Sequence, residues 1–492
     1  MHGPELLQIG FFVWLLDFAI RIAALFYVPR NRKPSSAMAW LLAIFLIPFI
    51  GILLFLIIGN TRLPKKRRLK QQEIDQLYSE IINTNHDIRK YIVNPNDLGT
   101  YGDIAKLNLK LGTLPVMSGN KAKLISDYNR SIEAIAKDID DAKHYVHIEY
   151  FIISADSKTE VFMQSIENAV KRGVIVRVMV DHLGPIGLPT FKATLNRLEQ
   201  IGAETKLMLP VQPLKGKYQR PDLRNHRKIV VIDGYIAYGG SQNIVDRTYL
   251  KKGNIKRGLK WQELVVRIEG PIAALAYNAV FICDWYSETD VILNRKDNPE
   301  LDCPIKKFGN QNCQLLPSGP GFDNDNNVKL FSSLMYSAKN KIIITSPYFV
   351  PDEVMISAVT AAAERGVKVI LFVSEIGDQF MVFNAQRSFY EQLLKAGVKI
   401  YAYKAPFILH SKHFSIDDNV AVIGSSNMDV RSFKLNLETS LVFYDKKMVS
   451  DMRMVEKEYY KNSIEITLKV WQNRPLKSLM AESITRLTSA LQ

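Results

Sequence analysis

The sequence predicts an α/β fold made of two tandem, similar halves, each with a mixed sheet, preceded by an α-helical membrane segment. Three observations carry this reading. First, His226-Arg227-Lys228 followed by Asp233 and His410-Ser411-Lys412 followed by Asp417 give one pattern twice. Both copies stay in step: Gly240 and Gly424 lie fourteen residues past their His, and Asn243 and Asn427 seventeen past it. Second, the similarity extends beyond the motif. The stretch 142–152 is echoed at 338–350, Lys171-Arg172-Gly173-Val174 at Glu364-Arg365-Gly366-Val367, and Ile201-Gly202 at Ala396-Gly397, each a passage from a helical run into an apolar strand. Third, residues 6–28 and 37–58 are long apolar stretches of 23 and 22 residues.

In chain order, residues 1–70 form the membrane segment, 71–114 a helical linker, 115–305 the first half and 306–492 the second. Each apolar stretch is long enough to cross a hydrocarbon core of about 30 Å, so two transmembrane helices are expected. Asp17 and Arg21 stand one turn apart and can pair. Pro48 and Gly51, near the centre of the second stretch, leave a re-entrant hairpin or an interfacial helix open. The early residues lack the basic region of a secretory signal. Arg62, Lys65, Lys66, Arg67, Arg68 and Lys70 favour a multi-pass protein of the cell membrane with a cytoplasmic catalytic region, while Arg30, Arg32 and Lys33 between the spans argue the other way. The larger cluster would also attract anionic lipid.

Within each half, a β-type run follows the Lys, then a turn signal, Asp233-Gly234 or Asp417-Asp418-Asn419, then a second apolar run. Side chains at i and i+2 share a strand face, so His226 points with Lys228 and His410 with Lys412. Asp233 and Asp417 complete the candidate catalytic motif, but their odd offset assigns them to the turn as supports. An imidazole can act as nucleophile or general acid beside the fixed charge of a lysine, a combination suited to an anionic phosphoryl centre. The first half carries about ten extra residues before its motif, around 211–223, where Lys215, Lys217 and Arg220 are candidates for headgroup contact.

The paired H-x-K-x4-D motifs, each with Gly and Asn downstream, resemble the phospholipase D superfamily. Arg224-Asn225-His226-Arg227-Lys228, Trp261-Gln262-Glu263, Pro317-Ser318-Gly319-Pro320 and the run from Asn427 through Phe433 to Glu438 are similar to the bacterial cardiolipin synthases within it. The resemblance covers nearly the whole chain. It implies two halves about a pseudo-twofold axis, both His-Lys pairs in one site, a phosphohistidine intermediate and no metal. It also implies that Glu263 and Glu438 hydrogen-bond the opposite or the neighbouring histidine and orient it, although they lie twenty and eleven residues past their Asn. On this reading His226 is the nucleophile and His410 the acid, and Lys228 and Lys412, with Asn243 and Asn427, hold the phosphoryl oxygens. The expected reaction transfers a phosphatidyl group from one phosphatidylglycerol to another with release of glycerol. The alternatives are a phospholipase D-type hydrolase or a nuclease on the same fold.

Composition agrees. Sixty-four Lys and Arg against 49 Asp and Glu leave a net charge of +15, which suits an anionic membrane surface or nucleic acid. The apolar stretches select the membrane, so an anionic phospholipid is the expected partner and no nucleic acid is. Cys283, Cys303 and Cys313 form no paired framework and fit reduced thiols. His2, His86, His144, His147 and His182 form no Cys/His cluster, and Asp323-Asn324-Asp325-Asn326-Asn327 lacks the Gly and Glu of a calcium loop. No metal or cofactor is expected, and the acidic run reads as a loop leading into a helix.

Overall fold

The computed structural model describes residues 3–30, 32, 34–215, 217–322 and 325–489. His2, Lys33, Asp323, Asn324 and the side chains of Lys215 and Lys217 lie outside the described residues. The chain forms two compact units, Met1–Arg62 and Leu63–Gln492.

In the smaller unit, the helix Gly3–Tyr27 contains a 20-residue apolar stretch, Gln8–Tyr27, long enough to cross a membrane. Asp17 and Arg21 pair at 2.9 Å. The second apolar stretch differs from the expected single span. It breaks at Ile47, before Pro48, into the helices Pro34–Leu46 and Pro48–Ile58, as a proline without an N–H and with a clashing ring requires. The arms fold back on each other. Trp40 lies 5.5 Å from Phe55 between ring centroids, a Cβ on Gly51 would stand 2.7 Å from the Ala43 oxygen, and the Arg32 guanidinium donates to the Gly59 carbonyl. Arms of 13 and 11 residues reach only about 20 Å at 1.5 Å per residue, short of the hydrocarbon core.

The larger unit is organised by a 16-stranded mixed sheet. Across it run Ser463–Ile466, Lys399–Tyr403, Lys368–Ser374, Lys341–Thr345, His413–Ile416, Val420–Gly424, Asn436–Tyr444 and Gln311–Ser318, then Met117–Ile125, Val265–Glu269, Ile236–Gly240, Lys228–Ile232, Tyr145–Tyr150, Ile175–Asp181 and Glu204–Met208, with Arg224–Asn225 pairing off this path to Asn436–Tyr444. Apart from the edge strand Ser463–Ile466, which has no counterpart, the order is symmetric about the antiparallel pair Met117–Ile125 and Gln311–Ser318. In each half three parallel strands meet an antiparallel hairpin, and that hairpin follows the His-x-Lys motif.

Matched sequence builds matched elements. The helices Tyr128–Asp140 and Glu160–Lys171 of the first half correspond to Asn326–Ser337 and Glu353–Glu364 of the second. Gly173 and Gly366 end equivalent helices with φ of 85° and 89°, values a residue with a Cβ resists. Helices cover the sheet over apolar cores that include Ile148, Val178 and Val230 in the first half and Ile344, Leu371 and Phe414 in the second.

The helix Lys65–Thr84 belongs to this unit. Arg67 holds Glu288 at 2.8 Å, while Lys66 and Lys70 hold Asp290 at 3.0 and 2.7 Å. These three members of the basic cluster expected to face lipid are therefore turned to intramolecular carboxylates. In the inserted loop Val211–Gln212 pairs with Lys217–Tyr218, and Arg220 pairs with Asp222.

Candidate active site

Each histidine reaches the site through a short pairing with the other half. Arg224–Asn225 runs parallel to Asn436 and Leu437, after which His226 N–H donates to the Leu437 carbonyl at 2.9 Å. Phe407–Leu409 runs parallel to Lys260–Gln262, after which His410 N–H donates to the Gln262 carbonyl at 2.8 Å. Each carbonyl belongs to the residue before a glutamate. The carboxylates therefore meet the opposite imidazoles: His226 Nδ1 is 2.9 Å from Glu438 Oε1, and His410 Nδ1 is 2.7 Å from Glu263 Oε1.

The second oxygen of each carboxylate is held in the same way. Ser425 Oγ donates to Glu438 Oε2 and Ser241 Oγ to Glu263 Oε2, both at 2.5 Å. Each hydroxyl in turn accepts a backbone N–H, from Thr439 and Leu264, at 3.0 Å. With Nδ1 committed, Nε2 is left as the reactive nitrogen of each ring.

Lys228 and Lys412 start their hairpins on the same side as the histidines. Their Nζ atoms donate to the His226 and His410 carbonyls at 2.6 Å, and Lys412 Nζ also lies 3.1 and 3.2 Å from the two ring nitrogens of His410. Burial pulls Lys228 down to about 7 and Lys412 to about 8. Burial also holds His226 well below the usual histidine range, aided by the charges of Lys228 and Lys412. His410 is lowered by burial too, but the Glu263 carboxylate works against that shift. Burial pushes Glu438 up to about 7.

Asp233 and Asp417 stand apart from this chemistry. Asp233 accepts from the N–H groups of Lys143, His144 and Tyr145 at 2.8–3.0 Å, and Asp417 from those of Lys339, Asn340 and Lys341 at 2.7–3.1 Å. Both sit at positive φ, 47° and 50°, and tie each hairpin turn to the start of a neighbouring strand. Although they complete the motif in sequence, in space they are supports. The asparagines differ. Asn243 accepts from Ile152 N–H at 3.2 Å and donates to the Tyr249 hydroxyl at 3.0 Å, whereas Asn427 Oδ1 is buried with no hydrogen-bond partner among the described residues.

Several site residues have no role in the sequence reading. Ser241 and Ser425 follow the motif glycines in register, a repeat signal that was available. Arg431 adds positive charge near His226. Phe151 packs edge-on to His226 at 5.2 Å between centroids, and Tyr348 to His410 at 6.0 Å. The Tyr348 hydroxyl donates to Asp378 at 2.9 Å, so the two aromatic walls are unlike. Arg227, between His226 and Lys228, faces the opposite way and pairs with Asp284. Among the described residues no group of three or more His, Cys, Asp or Glu side chains is arranged to hold a metal ion.

Two fused α/β halves that deliver two His-Lys pairs to one buried site, each imidazole oriented by the other half, define the phospholipase D-like class. A family model described as "Cardiolipin synthase, PLD-like domain" matches residues 135–285 and 331–458, and one described as "Phospholipase D-nuclease N-terminal" matches residues 19–60. Cardiolipin synthase A of Proteus mirabilis (strain HI4320) is 32% identical over 488 residues, covering 98% of this chain and 97% of that protein. Cardiolipin synthase A of Buchnera aphidicola subsp. Schizaphis graminum (strain Sg) is 34% identical over 482 residues, covering 97% and 96%. The chain belongs to the cardiolipin synthase family. The crystal structure of phosphatidylserine synthase of Haemophilus influenzae Rd KW20 shares the fold, with a TM-score of 0.59 and 13% identity over 79% of this chain and 99% of that one.

Proposed function

We propose that the chain is a phosphatidyltransferase that makes cardiolipin from two molecules of phosphatidylglycerol. The observation that carries the mechanism is the crossed pair of His–Glu hydrogen bonds, which leaves two reactive Nε2 atoms in one cationic site. His226, the more strongly depressed of the two, is the neutral nucleophile. Its Nε2 attacks phosphorus and forms a P–N bond as the P–O bond to the headgroup glycerol breaks. His410, whose Glu263 partner favours the charged ring, gives its proton to the departing glycerol oxygen. Its freed Nε2 then takes the proton from a headgroup hydroxyl of the second phosphatidylglycerol. That oxygen attacks phosphorus, the P–N bond breaks, and cardiolipin leaves with the net release of one glycerol. Lys228 and Lys412 balance the charge on the phosphoryl oxygens. No nucleic-acid substrate is part of this reading.

The purified protein in detergent, given labelled phosphatidylglycerol, is expected to yield cardiolipin and glycerol in equal amounts. Phosphatidic acid without cardiolipin, or cleavage of DNA in place of lipid, would sink the assignment. With His410→Asn, label is expected to accumulate on His226, and label on no histidine would refute the covalent route.

The finer localisation is also proposed. The helix Gly3–Tyr27 spans the cell membrane and the hairpin Pro34–Ile58 re-enters it from the cytoplasmic side. The contact between Arg32 and Gly59 supports this, because it brings the two ends of the hairpin together. Arg30 and Arg32 then lie on the same face of the membrane as Arg62 at the other end of the hairpin, and the opposition between the two basic clusters disappears.

A further inference from the structure

We propose that a second pocket, away from the two His-Lys pairs, binds a phosphate-bearing anion. It has a volume of about 340 Å³ and lies in the second half between the sheet and the helix Lys446–Lys461. Lys341, Lys368 and Lys399 begin three neighbouring parallel strands, and Lys341 and Lys368 are direct cross-strand partners. All three line the pocket together with residues two positions further along their strands, as alternation on one sheet face requires. From the helix come Arg453, Glu456 and Lys457, spaced to share one face.

The charges do not balance. Five cations line the space with one carboxylate, and Glu456 already accepts from Arg453 at 2.9 Å. Lys341, Lys368, Lys399 and Lys457 make no ion pair among the described residues. Like charges opposite each other across a strand pair are destabilising, so an arrangement of this kind is best explained by an anion that bridges it. The repeat does not impose it either. The matching positions of the first half are Tyr145, Ile175 and Glu204, and there the cation Arg177 is answered by Glu204 at 3.3 Å and Glu300 at 2.9 Å. The second half has gathered lysines where the first has none.

A phosphate ester fits this chemistry because its oxygens accept charge-assisted hydrogen bonds from several ammonium groups at once. Tyr401 and Tyr460, edge-on at 5.0 Å between centroids, form a wall against which the carbon part of such a ligand can rest. The phosphate can be carried by an anionic lipid headgroup or by a soluble phosphorylated compound. The site is independent of the transfer reaction, since the lysines open the strands while His413, next to Lys412, pairs with the far end of Lys341–Thr345.

The test uses the full chain in neutral detergent micelles, melted in sodium phosphate or in sodium chloride at matched ionic strength. Phosphate is expected to raise the midpoint of the wild type and of His410→Asn alike. The rise should shrink in Lys368→Gln and shrink further in Lys368→Gln/Lys399→Gln, each lysine being worth about threefold in affinity. Without phosphate, the double variant should melt at or above the wild type, because it has lost like-charge repulsion. In a second arm the protein is melted in nanodiscs of zwitterionic lipid with and without anionic phospholipid. A lysine-dependent rise with anionic lipid only assigns the headgroup as ligand, and one with dissolved phosphate only assigns a soluble compound. No lysine-dependent rise in either arm overturns the site. So does a phosphate effect abolished by His410→Asn alone, or a ligand-free double variant that melts below the wild type. The readout is binding, so it is decided separately from the cardiolipin assay.

Discussion

The imidazole of His226 is held by the carboxylate of Glu438, Nδ1 to Oε1 at 2.9 Å, across 212 residues of sequence. The reciprocal bond joins His410 and Glu263. Neither half therefore owns a complete His–Glu pair: each supplies the ring that the other orients. Two short parallel pairings enforce the exchange, because each ends one residue before a histidine and beside the residue that precedes a glutamate.

Replacing Glu438 by Gln keeps the size of the side chain but removes the charge that fixes the His226 tautomer. We expect kcat to fall by about 10²- to 10³-fold, with KM changed far less, since the substrate phosphate is held by the lysines. Steady-state rates of cardiolipin formation measure this. A variant with near wild-type kcat would show that the carboxylate does not orient the nucleophile.

The pH dependence follows from three shifted groups. Glu438, pushed up to about 7, must be ionised to accept from His226, so kcat/KM falls as pH drops through that value. Lys228 and Lys412, drawn down to about 7 and 8, lose their charge as pH rises through those values, which gives the alkaline limb. The result is a narrow bell whose limbs belong to the coupled group rather than to single residues. Bound phosphodiester raises both lysines, so the alkaline limb of kcat should lie above that of kcat/KM. Lys228→Arg/Lys412→Arg keeps both charges and should flatten that limb. A wild-type profile level across the whole range would contradict the assignment.

How much of this was legible in the sequence depends on the kind of contact. The repeat showed the two α/β halves because matched glycines and apolar runs act locally. Strand parity placed His with Lys and turned Asp233 and Asp417 away for the same reason. Family resemblance gave Glu263 and Glu438 a histidine partner but left open whether it was the opposite or the neighbouring one, and the nine extra residues between Asn243 and Glu263 disguise their equivalence. Ser241 and Ser425 were visible in the repeat but had no stated task until the carboxylates stood beside them. The hairpin at Pro48 shows the limit of length and hydropathy, for a 22-residue apolar run satisfies a span on both counts while one proline folds it in two.

Asp233 accepts three backbone N–H groups, and its removal leaves buried donors unsatisfied at about 1–3 kcal/mol each. Asp233→Ala is therefore expected to lower the thermal midpoint sharply, with Asp417→Ala behaving alike. Activity per folded molecule, measured below the transition, should stay within about threefold of the wild type, because neither carboxylate touches His226 or His410. If either variant stays fully folded yet loses turnover, the residue belongs to the chemistry and not to the turn.

The re-entrant hairpin makes a topological prediction that two spans do not. With both arms on one side, Ser36 and Asn60 should face the cytoplasm, and Gln8, at the start of the spanning stretch, the outer surface. In intact cells a membrane-impermeant maleimide should label Gln8→Cys, whereas Ser36→Cys and Asn60→Cys should react only after lysis. The native thiols, Cys303 and Cys313 buried and Cys283 half-buried, set the background. The physical reason is length: arms of 13 and 11 residues cannot cross, and the Arg32 bond to Gly59 returns the chain to the side it left. Labelling of Ser36→Cys from outside in intact cells, with Asn60→Cys protected, would restore two full spans and with them the conflict between the basic clusters.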